Sequence, residues 1–404
     1  MKQPAPVVGV VVACALTALC APPTLAAPCS DLPNPVYLQV GDTQVNLMKE
    51  LGRKLRDNTA NSMTLVFASS GSCTNIEAIY SDVKVMGTMQ YVPSSTEDPA
   101  WTTASPTRTC DAPTGGVLAD IANSAVFVSA CTTAAAPSTV KQFAGPVQAY
   151  VMAVPKASSQ TAITAEEAYF AFGFGTAGMI APWLDEMQLF IRTVTKSTLL
   201  AWAANISVPA DKWKGVRYDK STEVVAALQN SPTPEKAIGL LGVEVYDKLR
   251  STLKSLAFRA FKQYAAYYPD STATAFDKAN VRDGHYTVWS PTIWLTRMNA
   301  QTQIPVNARA AYVIDLILGN TVTPAANFDS VDSVASVGLV PVCAMKVTRS
   351  FEGGKLSLFS PPEPCGCKYD AAVATTTCVA CTGAGRGTCS GATQVCRHGF
   401  CEEK

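Results

Sequence analysis

The chain has 404 residues, of which 48% are hydrophobic, and its 32 basic side chains nearly balance 31 acidic ones. This length and apolar content support a sizeable core, which we expect to form two lobes and an appendage. The balanced charge, without basic or acidic tracts, argues against nucleic acid as a partner. Past the N-terminus, no apolar run approaches the length of a membrane-spanning helix, so we do not expect an integral membrane protein.

Residues 1–27 predict a secretory signal peptide. Lys2 precedes the apolar run Val7–Leu19, and small residues then lead to cleavage after Ala26 or Ala27. A lipoprotein processing site at Cys14 is the alternative. We therefore expect an exported protein, in the periplasm or on the outer surface of a Gram-negative bacterium. Of the 14 cysteines, two lie in this segment, and the even number that remains predicts disulfides.

The folded part opens with two strand–turn–helix units. The β-forming residues 36–40 are followed by a Gly-Asp-Thr turn and by apolar residues at helical spacing up to Leu55. Residues 62–80 repeat this order. Such alternation predicts an α/β sheet with helices on its faces, in which ligands collect where strands end and helices begin.

Two hydroxyl-rich turns at strand–helix junctions are candidate oxyanion sites. In residues 69–72, free backbone N–H groups of the helix and the hydroxyls of Ser70 and Ser72 converge on one point. The turn 192–198 adds two cations, and the Arg192 guanidinium can bind an oxyanion through two parallel hydrogen bonds. Simple helix capping and a surface Arg–Lys pair are the alternatives that spacing leaves open.

Further elements follow from composition and periodicity. Residues 91–113 predict a long loop, which a Cys110–Cys131 disulfide would tie down. Residues 173–178 match the dinucleotide-binding fingerprint, but that motif must follow a strand and here it follows a helix, so we predict no cofactor. The strands are predicted at 125–128, 148–154, 189–191, 238–242 and 286–296, and the helices at 164–172, 223–228, 249–267 and 308–318.

The composition changes at Cys343, from which point the chain carries eight cysteines. Cys378 and Cys381 have the spacing of zinc ligands, and His398 lies nearby, but an exported protein favours disulfides. A segment with so few large apolar residues depends on cross-links for its stability. We therefore predict a small disulfide-rich module at 343–404.

The order of these motifs from about Pro35 to Leu318 resembles the phosphate-type extracellular solute-binding proteins of ABC importers. The opening strand and Gly-Asp-Thr turn, the Ser-Ser-Gly-Ser turn, the helix and Trp of 163–183, and the Arg192 turn occur in the family's order. The resemblance implies an α/β, two-lobed type II periplasmic-binding-protein fold. It implies lobe one at 28–145 and 284–325, lobe two at 146–283, and a linker at 326–342.

The resemblance also implies the ligand site and the partners. Carried over by position, the residues that bind the oxyanion are Thr43, Ser70, Gly71, Ser72, Arg192, Thr195, Ser197 and Thr198. The implied ligand is a small oxyanion, with phosphate favoured; the implied partner is an ABC transporter permease, and the protein is expected to be a monomer. The family's Asp, which accepts the proton of hydrogen phosphate, has no counterpart in residues 122–127; Asp42 and Asp120 are the nearest substitutes.

Two other functions are compatible with parts of the sequence. An enzyme is not expected: a Cys73–His285 thiol pair is conceivable, but Cys73 is one of four cysteines outside the C-terminal module that can pair with one another. The stronger alternative is a ligand-free descendant of the same fold that acts as an envelope or extracellular interaction protein. The absent Asp and the cysteine-rich module favour this alternative, whereas Arg192 and the hydroxyl-rich turns favour the receptor.

Overall fold

Strand–turn–helix units recur through a computed structural model that describes residues 27–320, 322, 328–373, 376–383 and 385–404. Residues 1–26 of the predicted signal peptide lie outside this range. The strands are β1 (Pro35–Gly41), β2 (Thr64–Ser70), β3 (Thr88–Tyr91), β4 (Arg108–Asp111), β5 (Ile121–Ser124), β6 (Val140–Pro155), β7 (Ala162–Thr164), β8 (Leu189–Arg192), β9 (Val216–Tyr218), β10 (Ile238–Gly242), β11 (Leu253–Ser255), β12 (Ala257–Arg259), β13 (Trp289–Arg297), β14 (Val347–Thr348), β15 (Ser357–Leu358), β16 (Gln394–Arg397) and β17 (Phe400–Glu403). The helices are α1 (Val45–Arg56), α2 (Ser72–Tyr80), α3 (Ala165–Phe174), α4 (Ser197–Ile206), α5 (Ser221–Gln229), α6 (Val243–Tyr246), α7 (Ala279–Arg282), α8 (Ala308–Leu318), α9 (Ser330–Ser336) and α10 (Gly366–Ala372).

The first two units form as the periodicity predicts. β1 and β2 pair in parallel from Pro35–Thr64 to Gly41–Ser70. Helix α1 buries its apolar side, including Leu47 and Leu51, while three of its four basic residues lie in the last turn, where the helix dipole favours positive charge. Both strands therefore end at the same edge of the sheet.

Two long strands join the two lobes. The strand order is β4-β3-β2-β1-β5-β13-β6-β10-β8-β9, with β11 also paired to β6. β6 pairs antiparallel with β13 over Val140–Ala149, and then with β10 over Tyr150–Ala153. Each side has its own apolar core, one on the β1 side and one on the β10 side. We call these sides lobe one and lobe two.

Three predicted elements are wrong. The long loop expected at 91–113 contains the strand β4, which pairs with β3. Residues 249–267 do not form a helix; they contain β11 and β12, which pair with β6 and β7. The spacing of apolar residues in that stretch is compatible with either a helix or short strands. Pairing with β6 and β7 selects the strands. The strand expected at 125–128 lies earlier, as β5, because register with β1 and β13 selects residues 121–124.

Six disulfides form among the described residues. In lobe one they are Cys29–Cys110 and Cys73–Cys131, so the expected Cys110–Cys131 pair is wrong. The C-terminal region has four disulfides: Cys343–Cys365, Cys367–Cys378, Cys381–Cys396 and Cys389–Cys401. Cys378 and Cys381 thus belong to different disulfides and are not a zinc-ligand pair.

The chain after lobe one packs back onto the body of the protein. In the segment 326–342, α9 places Val334 in the lobe-one core, and Val340 forms a bridge with Val147. The hairpin of β14 and β15 then carries Glu352 to the junction of the lobes, where its Oε1 accepts a hydrogen bond from the Phe127 N–H at 3.0 Å. Among the described residues, no helix combines the length and hydropathy needed to cross a bilayer.

Candidate functional site

The carboxyl ends of parallel strands from both lobes meet between the lobes. β1, β2 and β5 end there from lobe one, and β8, β9 and β10 end there from lobe two. In open α/β sheets this edge is where ligands bind, because helices begin there with free N–H groups. The predicted site residues all lie at strand ends, in turns or at helix starts along this edge.

The lobe-one hydroxyls are largely engaged within their own lobe. Ser70 Oγ donates to Asn75 Oδ1, and Ser72 Oγ accepts the backbone N–H of Ala125 at 3.1 Å. Thr43 is buried, and its Oγ1 accepts a hydrogen bond from Gln44 Nε2 at 3.4 Å. These side chains thus order the turns of lobe one.

Gly71 contacts Thr195 of lobe two directly. A Cβ at position 71 would lie 2.6 Å from Thr195 Oγ1 and 2.8 Å from the Thr195 carbonyl oxygen, so this approach requires glycine. The N–H of Cys73, in the first turn of α2, donates to the same carbonyl at 3.3 Å. In this conformation the start of α2 therefore binds the opposite lobe. Cys73 is also disulfide-bonded, which excludes the thiol chemistry considered for it.

Arg192 is held by lobe two and faces lobe one. Its side chain is fully buried; Nε donates to the Tyr218 carbonyl at 3.3 Å, and Nη2 donates to the Asp219 carbonyl at 2.6 Å. Nη1 donates to Ser221 Oγ at 2.6 Å, and Nη2 also donates to Asp42 Oδ2 of lobe one at 2.8 Å. The guanidinium is thus oriented by its own lobe and forms an ion pair across the junction.

The end of the Arg192 turn, from Lys196 to Thr198, is buried. Lys196 forms an ion pair with Asp219 at 3.1 Å. Burial acts to raise the pKa of Asp219, but the hydrogen bond and charge of Lys196 outweigh it and lower that pKa. Ser197 and Thr198 begin α4, and Thr198 Oγ1 has no hydrogen-bond partner among the described residues. An unpaired buried hydroxyl is uncommon in folded proteins.

A row of hydrogen-bonded, buried polar side chains also connects the two lobes, and the sequence did not indicate it. Gln44 Nε2 donates to Gln148 Oε1 at 3.3 Å, and Gln148 Nε2 donates to Glu244 Oε2. Burial, followed by the negative charge of Asp42, raises the pKa of Glu244 to about 8 from 4.5. Gln44 Oε1 and Glu244 Oε1 have no partner among the described residues. The one feature of the sequence that points to this row of side chains is the polar Gln148 inside an apolar strand.

Only some of the predicted site residues contact the opposite lobe. Arg192 meets Asp42, and Gly71 meets Thr195, whereas Ser70 and Ser72 bind within lobe one. Of the two carboxylates considered as substitutes for the family's Asp, Asp42 lies at Arg192. Asp120 lies at the opposite end of β5, where its Oδ2 accepts the Tyr37 N–H at 2.8 Å.

Two solved solute-binding proteins were compared with this fold. A Clostridium perfringens protein assigned as a phosphate ABC transporter substrate-binding protein, with phosphate bound, is 13% identical with a TM-score of 0.52, and covers 76% of this chain and 100% of its own. A Vibrio cholerae ABC-type phosphate transport receptor is 12% identical with a TM-score of 0.48, over the same shares. No protein-family model matches the chain, and no curated protein is significantly similar to it.

The likeness to the Clostridium perfringens protein confirms the predicted fold class. The chain has a mixed α/β fold of the periplasmic-binding type, followed by a disulfide-rich C-terminal region. At such low identity, the similarity shows the fold alone.

Proposed function

We propose that the protein is an exported solute-binding protein that holds a small oxyanion, with phosphate favoured, between its two lobes for import by an ABC transporter. The observation that carries the proposal is Arg192, a fully buried guanidinium that lobe-two carbonyls orient toward lobe one at the ends of the parallel strands. The turn of Ser70–Ser72 contacts Thr195 of the Arg192 turn, and Thr198 of the same turn has a buried hydroxyl with no partner among the described residues. A guanidinium, hydroxyls and helix starts are donors suited to an oxyanion.

The export part of the proposal is supported by cysteine usage. All 12 cysteines of the described chain are paired in disulfides, which form and persist in oxidising compartments outside the cytosol. The solved protein from Clostridium perfringens binds phosphate and is assigned to an ABC transporter; a permease partner for this chain is proposed by that analogy.

The proposed mechanism is lobe closure without covalent chemistry. A solute that contacts both lobes stabilises the closed arrangement by its greater affinity for that state. β6 and β13 connect the lobes, so bending at these strands is the expected hinge motion. Pro291, where the β6–β13 register shifts, lies at that connection.

A second candidate function is favoured by one observation. Asp42 already supplies a carboxylate to Arg192 at 2.8 Å, so the lobes can close without a solute. This arrangement suits a ligand-free descendant of the fold that acts as an envelope or extracellular interaction protein. The two candidates differ in whether any free anion binds at Arg192.

Thermal unfolding separates the two candidates. The mature protein, with its disulfides intact, would be heated with phosphate, sulfate, arsenate, molybdate or a short phosphonate. A ligand at about 100 times its Kd stabilises the native state by about 2.7 kcal/mol, so a receptor shows a saturable rise in Tm with one anion. Arg192→Lys should abolish that rise, and Arg259→Lys, which changes an exposed ion pair with Glu166, should keep it. No rise with any anion at millimolar concentration would refute the receptor and favour the ligand-free descendant.

A further inference from the structure

One carboxylate oxygen of lobe one receives three hydrogen bonds from lobe two. Asp42 Oδ2 accepts Arg192 Nη2 at 2.8 Å, the Ser221 backbone N–H at 3.2 Å and Ser221 Oγ at 2.8 Å. The Arg192 side chain is 0% exposed and that of Asp42 is 21% exposed. Asp42 follows β1, whereas Ser221 begins α5, so these bonds close the junction from one lobe to the other.

These contacts are those that a free oxyanion would make. A guanidinium N–H, a helix-start N–H and a hydroxyl are the donors that bind an oxyanion, and all three converge on Asp42. The remaining bonds of Arg192 go to carbonyls and Ser221 of lobe two, so the guanidinium stays oriented when lobe one moves away. The donors that would bind an incoming anion are therefore already oriented, but the Asp42 carboxylate occupies them.

We propose that Asp42 is a specificity-determining residue that occupies the anion site as a tethered competitor. It holds the lobes together when no solute is bound, and an anion binds only by displacing it from Arg192 and Ser221. The second half of this inference rests on the proposed function. A simple carboxylate gains little by replacing another carboxylate. A tetrahedral oxyanion has oxygens beyond the two of a carboxylate, which can accept further hydrogen bonds, and it is therefore the ligand class that Asp42 selects.

The test compares wild type with Asp42→Asn and Asp42→Ala. Asp82→Asn is the matched control, because Asp82 pairs with Arg297 within lobe one. Small-angle X-ray scattering in anion-depleted buffer measures the opening of the lobes, and calorimetry measures phosphate binding. We expect both Asp42 variants to have a larger radius of gyration than wild type and control. Removing a competitor held by charge-assisted hydrogen bonds should tighten phosphate binding about 10- to 100-fold.

The outcomes separate this inference from the proposed function. If both Asp42 variants stay as closed as wild type, Asp42 does not hold the lobes and the inference is overturned. If they open and phosphate binds wild type and variants equally, displacement is overturned. If they open and no anion binds any of them, the closing role stands and the proposed receptor function fails. Opening together with tighter phosphate binding supports both halves.

Discussion

The buried Glu244 carboxyl should make stability depend on pH in a defined window. Burial raises its folded-state pKa to about 8, against 4.5 ordinarily. Because the folded pKa is the higher one, the neutral carboxyl contributes stability that is fully present below about pH 4.5 and lost as pH rises through about 8. A span of about 3.5 pH units, at about 1.4 kcal/mol each, gives about 5 kcal/mol as an upper limit, since water entering the junction would lower the folded pKa.

Glu244→Gln carries an uncharged side chain of the same shape and so removes this dependence. Denaturant unfolding at a series of pH values should give variant and wild type similar free energies of unfolding in acid, with the variant increasingly more stable toward pH 8. Glu352, whose pKa burial raises to about 7, contributes equally to both proteins and cancels in the difference. Glu166→Gln, in an exposed ion pair with Arg259, controls for the loss of one carboxyl. Parallel curves for wild type and Glu244→Gln would refute the reasoning.

Three further predictions concern individual contacts. Thr198→Val removes a buried hydroxyl that has no partner among the residues described. The free energy of unfolding should therefore stay unchanged or rise by about 1 kcal/mol, while anion affinity falls about tenfold. A loss of stability beyond about 2 kcal/mol would show that the hydroxyl has a structural partner. Replacing both Cys73 and Cys131 by Ser removes a disulfide that closes a loop with a sequence separation of 58. Denaturant titration should show a free energy of unfolding lower by about 4 kcal/mol. An unchanged denaturation midpoint would contradict this. Thr164→Ala breaks the capping box of α3 and should cost about 1 kcal/mol in the same assay, with Thr161→Ala outside the cap expected to cost less.

The sequence predicts the regular part of the fold well because each of those units carries its own signal. The units 36–55 and 62–80 combine a β-forming run, a turn and helical spacing, and each signal agrees with the others. The Thr164 cap of α3 is likewise local, and both of its hydrogen bonds form. The prediction for residues 249–267 is wrong because their short apolar runs fit the period of a helix and that of a strand equally well. Only pairing with β6 and β7 makes them strands.

The site is predictable only where one segment carries it. Arg192 stands out because its own turn places a cation at a strand–helix junction. The chain of Gln44, Gln148 and Glu244 joins residues far apart in sequence, so spacing gives no sign that they touch. The same holds for the disulfides, since pairing Cys29 with Cys110 requires knowing that the N-terminal segment lies beside β4.

The most direct test of the central claim is to locate a bound anion at the junction of the lobes. Crystals of the mature protein grown with molybdate or arsenate would be measured at a wavelength where the anion scatters anomalously. The proposed site predicts one strong peak within hydrogen-bond distance of the Arg192 guanidinium, with the Asp42 carboxylate moved away from it. A peak elsewhere, or none with Asp42 still on Arg192, would contradict the claim that this junction binds a solute.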